Sequence, residues 1–244
     1  MSLPDRTIYL HEALALTRLM RVLDVGANPL SDPPYKPLLD AGLCDVWGFE
    51  PQDEAFAELM KIKGPHETYF PHAVADGQRH TLHISKNSGF TSILPFHQKG
   101  FSTFGIFPGA ARNLREIEVD TVRLDDLDDL PLVDVLKMDI QGGEKIVIDN
   151  GREKLSQAIC VIPEVRFNQF YDGEPMFAGV DESLRDQGFM LHKFMFMKSA
   201  IVSSSMRSQI AVKDNSNHLV DGDAIYIRDL RDPDVVTDEQ LKFL

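Results

Sequence analysis

Short apolar runs rich in Val, Ile and Phe alternate along this chain with longer stretches whose apolar residues recur at helical spacing. That pattern predicts parallel strands joined by helical crossovers. "RVLDVGA" (21–27) reads as the first strand and "PPYKPLLDAG" (33–42) as a short helix, with prolines near its start and Gly42 at its end. "DVWGFEP" (45–51) reads as the second strand. "QDEAFAELMKIKG" (52–64) then predicts a helix with Asp53 as N-cap, Phe56, Leu59 and Met60 at helical spacing, and Gly64 as its stop. "ETYFPHAVAD" (67–76) follows as strand three.

From 77 to 115 the rhythm breaks. "RHTLHIS" (79–85) alternates like an extra strand, whereas "NSGFTSILPFHQKGFSTFGIFPGAARN" (87–113) is too irregular for one long element. An insertion of that length in a compact domain is usually functional. Regular patterning resumes with strands at 115–127, 133–140 and 158–167, a helix over 142–155, a helix near 180–188, and strands near 189–197 and 223–230. The chain thus reads as an N-terminal amphipathic helix (1–20) and one α/β domain (21–244). Its core is an open, mostly parallel sheet of about seven strands with helices on both faces, the last two strands forming an antiparallel pair.

Composition narrows the function. The 244 residues are 43% hydrophobic and 26% charged, as in an ordinary folded domain. Lys and Arg number 25 against 38 Asp and Glu, a net charge of −13. That field repels phosphodiester backbones, and no basic stripe interleaved with aromatics offsets it, so small molecules come before nucleic acid as partners. Cys44 and Cys160, far apart in apolar contexts, suit free thiols in a reducing compartment, hence a cytoplasmic protein. Asp5, Arg6, His11, Glu12 and Arg18 interrupt the N-terminal segment, which therefore lacks the apolar core of a signal peptide or membrane span.

In such sheets ligands bind outside the carboxyl ends of the strands. Strand one ends in Asp24 and Gly26, and strand two in Glu50. An acidic residue at that place accepts hydrogen bonds from both ribose hydroxyls, and a glycine at the first turn lets a ligand approach the backbone. The plainer reading of Glu50 is a helix-capping or solvated carboxylate. Dinucleotide sites need several glycines so that a pyrophosphate meets helix N-terminal amides. Here Pro29 removes one such donor and Leu30 adds bulk. A turn with one glycine and one carboxylate better suits S-adenosylmethionine, an adenosine without phosphate.

"VDVLKMDIQGGE" (133–144) holds the second group. Lys137 and Asp139 share a strand face, Gln141, Gly142 and Gly143 form a turn, and Glu144 enters the helix. One reading is a structural ion pair of Lys137 with Asp139 or Glu144; the other puts Asp139 beside the sulfonium carbon or the acceptor. Glu164 in "VIPEVRF" occupies the neighbouring strand end, where with Asp139 it suits general base catalysis or a divalent cation. His72, His83, His97 and His192 are the histidines available to assist a carboxylate base. Ser88, Thr91 and Ser92 are candidate acceptor contacts. Phe90, Phe96, Phe101, Phe104 and Phe107 either cover the site or pack the loop down.

"VLDVGAN", "GFEPQ", "GFTSIL", "VDTVRLDDL", "VDVLKMDIQGGE", "NGREKL" and "PEVRF", in this order, resemble the FkbM-type S-adenosylmethionine-dependent methyltransferases from about residue 20 to 230. The resemblance implies a Rossmann-like class I methyltransferase fold and O-methyl transfer to a small-molecule or carbohydrate acceptor, with no metal ligand set assigned. It places Asp24, Gly26, Ala27 and Asn28 at the methionine end of the donor, Glu50 at the ribose, and the segment His72 to Asp76, including Ala73, at the adenine. Asp139 and Gln141 fall near the transferred methyl. Two positions depart from the family pattern: Leu30 replaces the second glycine of "GANxG", and Gln141 replaces the glutamate of "DIEGxE". The rival readings are an NAD(P)-dependent oxidoreductase, disfavoured by the missing pyrophosphate turn, and a non-catalytic binding module. A homo-oligomer is compatible with the sequence.

Overall fold

A computed structural model describes residues 3–29, 32–104, 115–203, 209, 211, 215–231 and 236–244. In chain order it contains α1 (Leu3–Ala13), β1 (Met20–Val25), α2 (Lys36–Asp40), β2 (Cys44–Phe49), α3 (Asp53–Ile62), β3 (Glu67–Phe70), β4 (Ala73–Val74), β5 (Arg79–Ile84) and α4 (Gln98–Phe104). There follow β6 (Arg115–Val122), β7 (Val135–Met138), α5 (Glu144–Asp149), β8 (Cys160–Arg166), α6 (Phe177–Asp186), β9 (Phe189–Ala200), β10 (His218–Arg228) and a C-terminal helix, α7 (Asp238–Phe243).

Seven of these strands form one sheet in the order β3-β2-β1-β7-β8-β10-β9. The first five pair in parallel; β10 runs antiparallel to both β8 and β9, which gives the expected terminal pair. Between β1 and β7 the order reverses direction, and the crevice at such a switch point is where open α/β sheets bind ligands.

Period-two alternation assigns the two faces of the sheet. On one face Leu23, Val25, Leu136, Met138, Val161, Val165, Ala224 and Tyr226 join Val147 and Ile148 of α5 and Val180 and Leu184 of α6 in the main core. On the other, Val22, Cys44 and Val46 pack with Leu38 and Leu39 of α2. That second cover thins over β8 and β10, where Cys160, Ile162, Ile225 and Ile227 are only half-buried.

Several local expectations change. The third strand splits at Pro71–His72: β3 stays in the main sheet, while β4 joins β5 and β6 in a separate three-stranded sheet. Gln52, not Asp53, is the N-cap of α3, and Asp53 contributes its charge to the first turn instead. The insertion carries a helix, α4. Its Gly100 permits a close approach, because a Cβ there would stand 1.8 Å from the Gln169 carbonyl oxygen. Ile8, Tyr9 and Leu10 of α1 are exposed, since three consecutive apolar residues spread around a helix and do not form one stripe.

Candidate active site

A cavity of about 1260 Å³ opens at the carboxyl ends of β1, β2 and β7. At one end lies the β1 turn. Gly26 has φ +86°, and a Cβ built there would stand 2.3 Å from the Asp139 carbonyl oxygen. Glycine is therefore required already by the contact of two strand ends, and Gly26 also lines the cavity. The N–H groups of Gly26 and Ala27 both donate to the Phe49 carbonyl at 3.0 Å, and that of Asn28 donates to the Gly26 carbonyl at 2.8 Å. Three successive amides are thus committed inside the protein, where a phosphate-cradling turn would present them outward.

Asp24 is buried beneath this turn. The Tyr35 hydroxyl donates to its Oδ2 at 2.6 Å, and Lys137 Nζ lies 3.1 Å from its Oδ1. The register of β1 and β7 sets Asp24 opposite Lys137, so a cross-strand pair replaces the expected pairing of Lys137 with Asp139 or Glu144. Burial pushes the Lys137 ammonium down, but Asp24 and then Asp139 outweigh it and hold the group above its usual value. Glu50, just beyond β2, is 2% exposed and accepts the Gln52 N–H at 2.8 Å. Burial pushes its carboxyl up to about 7.

At the other end the turn after β7 presents Asp139, exposed on the cavity wall. Gln141 and Gly142 both adopt left-handed backbone, with φ +59° and +102°. Glu144 clamps this corner by accepting the Ile140 N–H at 3.0 Å and the Gly142 N–H at 2.9 Å. The Gln141 amide nitrogen donates to Asp139 Oδ1 at 2.7 Å and to Glu164 Oε2 at 2.8 Å. Its oxygen accepts from Arg166 Nη2 at 2.7 Å and from the Tyr171 hydroxyl at 3.0 Å.

Glu164 stands behind Gln141, outside the cavity lining. Its Oε1 accepts from Arg166 Nη1 at 2.8 Å, and its Oε2 lies 2.7 Å from Arg166 Nη2. Burial pushes this carboxyl up against the opposing pull of Arg166. The geometry therefore moves Glu164 from shared base to support. Nor is there room for a cation bridging Asp139 and Glu164, because the Gln141 nitrogen occupies the space between them. Asp223 of β10 lines the cavity near this end; burial, reinforced by Asp139, raises its carboxyl.

The remaining candidates separate cleanly. Ala27, Asn28, Ala73 and Thr91 line the cavity, and the Thr91 hydroxyl donates to Gln52 Oε1 at 3.4 Å. Ser92 also lines it, yet is 1% exposed, donating to the Gln141 carbonyl at 2.7 Å and accepting the Leu94 N–H at 3.0 Å. His72 reaches the cavity, stacked on Phe70. His83 faces Glu116 at 3.1 Å and His97 faces Asp172 at 2.7 Å; His192 borders a separate, smaller groove. Phe96, Phe101 and Phe104 are buried with Phe170 and Tyr171, so they pack the insertion down. Phe107 and the side chain of Ser88 lie outside the described residues. Sequence reading missed Arg166 and Tyr171. Arg166 had a signal, two positions from Glu164 on the same strand face, but Tyr171 sits in a loop with none.

The parts suit a nucleoside ligand that carries no phosphate: a carboxylate after β2, a turn with committed amides, and an acidic far end. Residues 24–191 match the Methyltransferase FkbM domain family, well over half the chain, and the chain belongs to that family. It is a methyltransferase that takes S-adenosylmethionine as donor. No curated protein matches it in sequence. Similar solved structures include magnesium protoporphyrin IX methyltransferase (ChlM) from Synechocystis PCC 6803 with bound SAM, at 12% identity, covering 92% of this chain and 76% of that one, TM-score 0.45. Another is precorrin-6y C5,15-methyltransferase from Geobacter metallireducens GS-15, at 13% identity, 92% and 88% coverage and TM-score 0.43. The strand order and the family match, not these distant likenesses, carry the assignment. Among the described residues no helix is long and apolar enough to cross a membrane.

Proposed function

We propose that this chain methylates a hydroxyl group of a small molecule or sugar, with Asp139 as the residue that meets the acceptor beside the donor's sulfur. The observation that carries this reading is the exposed Asp139 carboxylate on the cavity wall at the end of the central strand, opposite a turn whose amides are already bonded. When bound, the donor supplies an electrophilic methyl group on a sulfonium centre. Glu50 accepts the ribose hydroxyls, Asp24 with the Gly26–Asn28 turn borders the amino acid end, and Ala73 borders the adenine. Asp139 would accept a hydrogen bond from the acceptor hydroxyl and take its proton as the oxygen–methyl bond forms and the sulfur–methyl bond breaks, which leaves neutral S-adenosylhomocysteine. A carboxylate is a weak base for an aliphatic alcohol, so alignment supplies most of the acceleration. Thr91 adds a polar contact from the insertion. The two free cysteines fit a cytoplasmic setting.

The test is a thermal-shift comparison. S-adenosylhomocysteine at a hundred times its dissociation constant stabilises the chain by about 2.7 kcal/mol, while NAD at the same concentration leaves the melting temperature unchanged. Stabilisation by NAD alone would overturn the donor assignment. Labelled methyl found on carbon or nitrogen of a product would overturn the hydroxyl acceptor.

A further inference from the structure

The Gln141 side chain bonds four other side chains at the site. A primary amide has two donor and two acceptor positions, and here all four are used, on Asp139, Glu164, Arg166 and Tyr171. The amide cannot be turned over without setting its oxygen against two carboxylate oxygens and its nitrogen against the Arg166 guanidinium. Its backbone carbonyl is held as well, by Ser92 Oγ of the insertion, and the Tyr171 hydroxyl, whose one proton serves Gln141, stands 3.2 Å from the Phe90 carbonyl of the same insertion. Arg166 is itself fixed by Glu164 and by Asp221, whose Oδ2 lies 3.1 Å from its Nη1. Asp139, by contrast, is exposed, and a carboxylate on an open wall has rotational freedom that a tether removes.

We propose that Gln141 is a positioning residue: it makes no bond of its own to the donor, and holds the Asp139 carboxylate toward the donor's sulfur from a mount built on Arg166 and Tyr171. This rests on the reading of Asp139 given above. With its four bonding positions taken, the Gln141 side chain has no capacity left for a ligand. A neutral amide also keeps Asp139 and Glu164 apart without adding charge. A glutamate here would set a third carboxylate between them.

S-adenosylmethionine and S-adenosylhomocysteine allow the idea to be tested without knowing the acceptor, because they differ by one methyl group and one positive charge. A carboxylate aimed at the sulfur favours the cation. Calorimetry on the full chain should find the parent preferring S-adenosylmethionine, and Asp139→Asn losing most of that preference. Gln141→Met should lower the preference severalfold, with affinity for S-adenosylhomocysteine within about twofold of the parent. Gln141→Asn, which tolerates left-handed backbone but is one methylene too short, serves as the second variant and should behave alike. If both Gln141 variants keep the parent's preference while Asp139→Asn loses it, the positioning role is wrong and the reading of Asp139 stands. If Asp139→Asn also keeps it, that earlier reading fails. Loss of S-adenosylhomocysteine binding by a Gln141 variant that still melts cooperatively would make Gln141 a direct donor contact and overturn the proposal.

Discussion

The two ends of the cavity are built on different principles. The end at the β1 turn is local: one turn, one carboxylate after β2 and one cross-strand ion pair, with backbone amides bonded to β2 and within the turn itself. The Asp139 end is assembled from afar, joining residue 92 of the insertion, residues 139–144 after β7, residues 164–171 of β8 and its loop, and Asp221 of β10. Both ends hold buried polar partners, so deletion strands a neighbour at either; at the Asp139 end the stranded partners lie on several elements of the fold.

The change with the largest expected effect abolishes the distinction. Gly26→Ala places a methyl 2.3 Å from the Asp139 carbonyl in left-handed backbone, so it strikes both ends. Urea unfolding should report destabilisation on the order of 2–4 kcal/mol, and donor affinity should fall with it. A pair of single changes then sharpens the contrast. Glu50→Ala should weaken donor binding by roughly 10–100-fold, as expected for lost hydrogen bonds to a charged group. Asp139→Asn should leave binding of S-adenosylhomocysteine nearly intact and lower turnover on the order of 100-fold. Equal donor affinity for Glu50→Ala and the parent would remove Glu50 from the site.

The smallest effect is on pH dependence. Glu50, raised to about 7 from an ordinary 4.5, keeps a proton in the folded chain that the unfolded chain has already released. The folded state binds more protons across that window, so stability of the donor-free protein falls as pH rises from about 4.5 to about 7. Glu144, likewise pushed up to about 7 by burial, adds a slope of the same sign. Glu50→Gln should therefore flatten, without abolishing, the fall in melting temperature over that range. An unchanged slope would place the carboxylate in a wetter setting than its burial indicates.

The sheet was legible because each strand carries its own apolar run, and the placement of Asp24, Glu50 and Asp139 along the cavity was legible because each is a polar residue at a strand end. What escaped was cross-strand and cross-loop chemistry. The partner of Lys137 is decided by the register of β1 against β7, which one strand cannot reveal. Helix α4 escaped because Gly100 reads as a breaker, although tertiary contact with Gln169 demands it. Tyr171 and Ser92 are ordinary loop residues until the fold delivers them to Gln141.

The grip of Glu144 on Ile140 and Gly142 bears on how such an enzyme diversifies. The corner bearing Asp139 is stapled by a side chain from the very helix it introduces, so its shape does not depend on what the acceptor is. Selection for a new acceptor has freer material in Ile93, Ile162 and Met195, which line the same cavity but stand outside the stapled corner. Libraries built to change acceptor range belong at those three positions, with the corner left as it is.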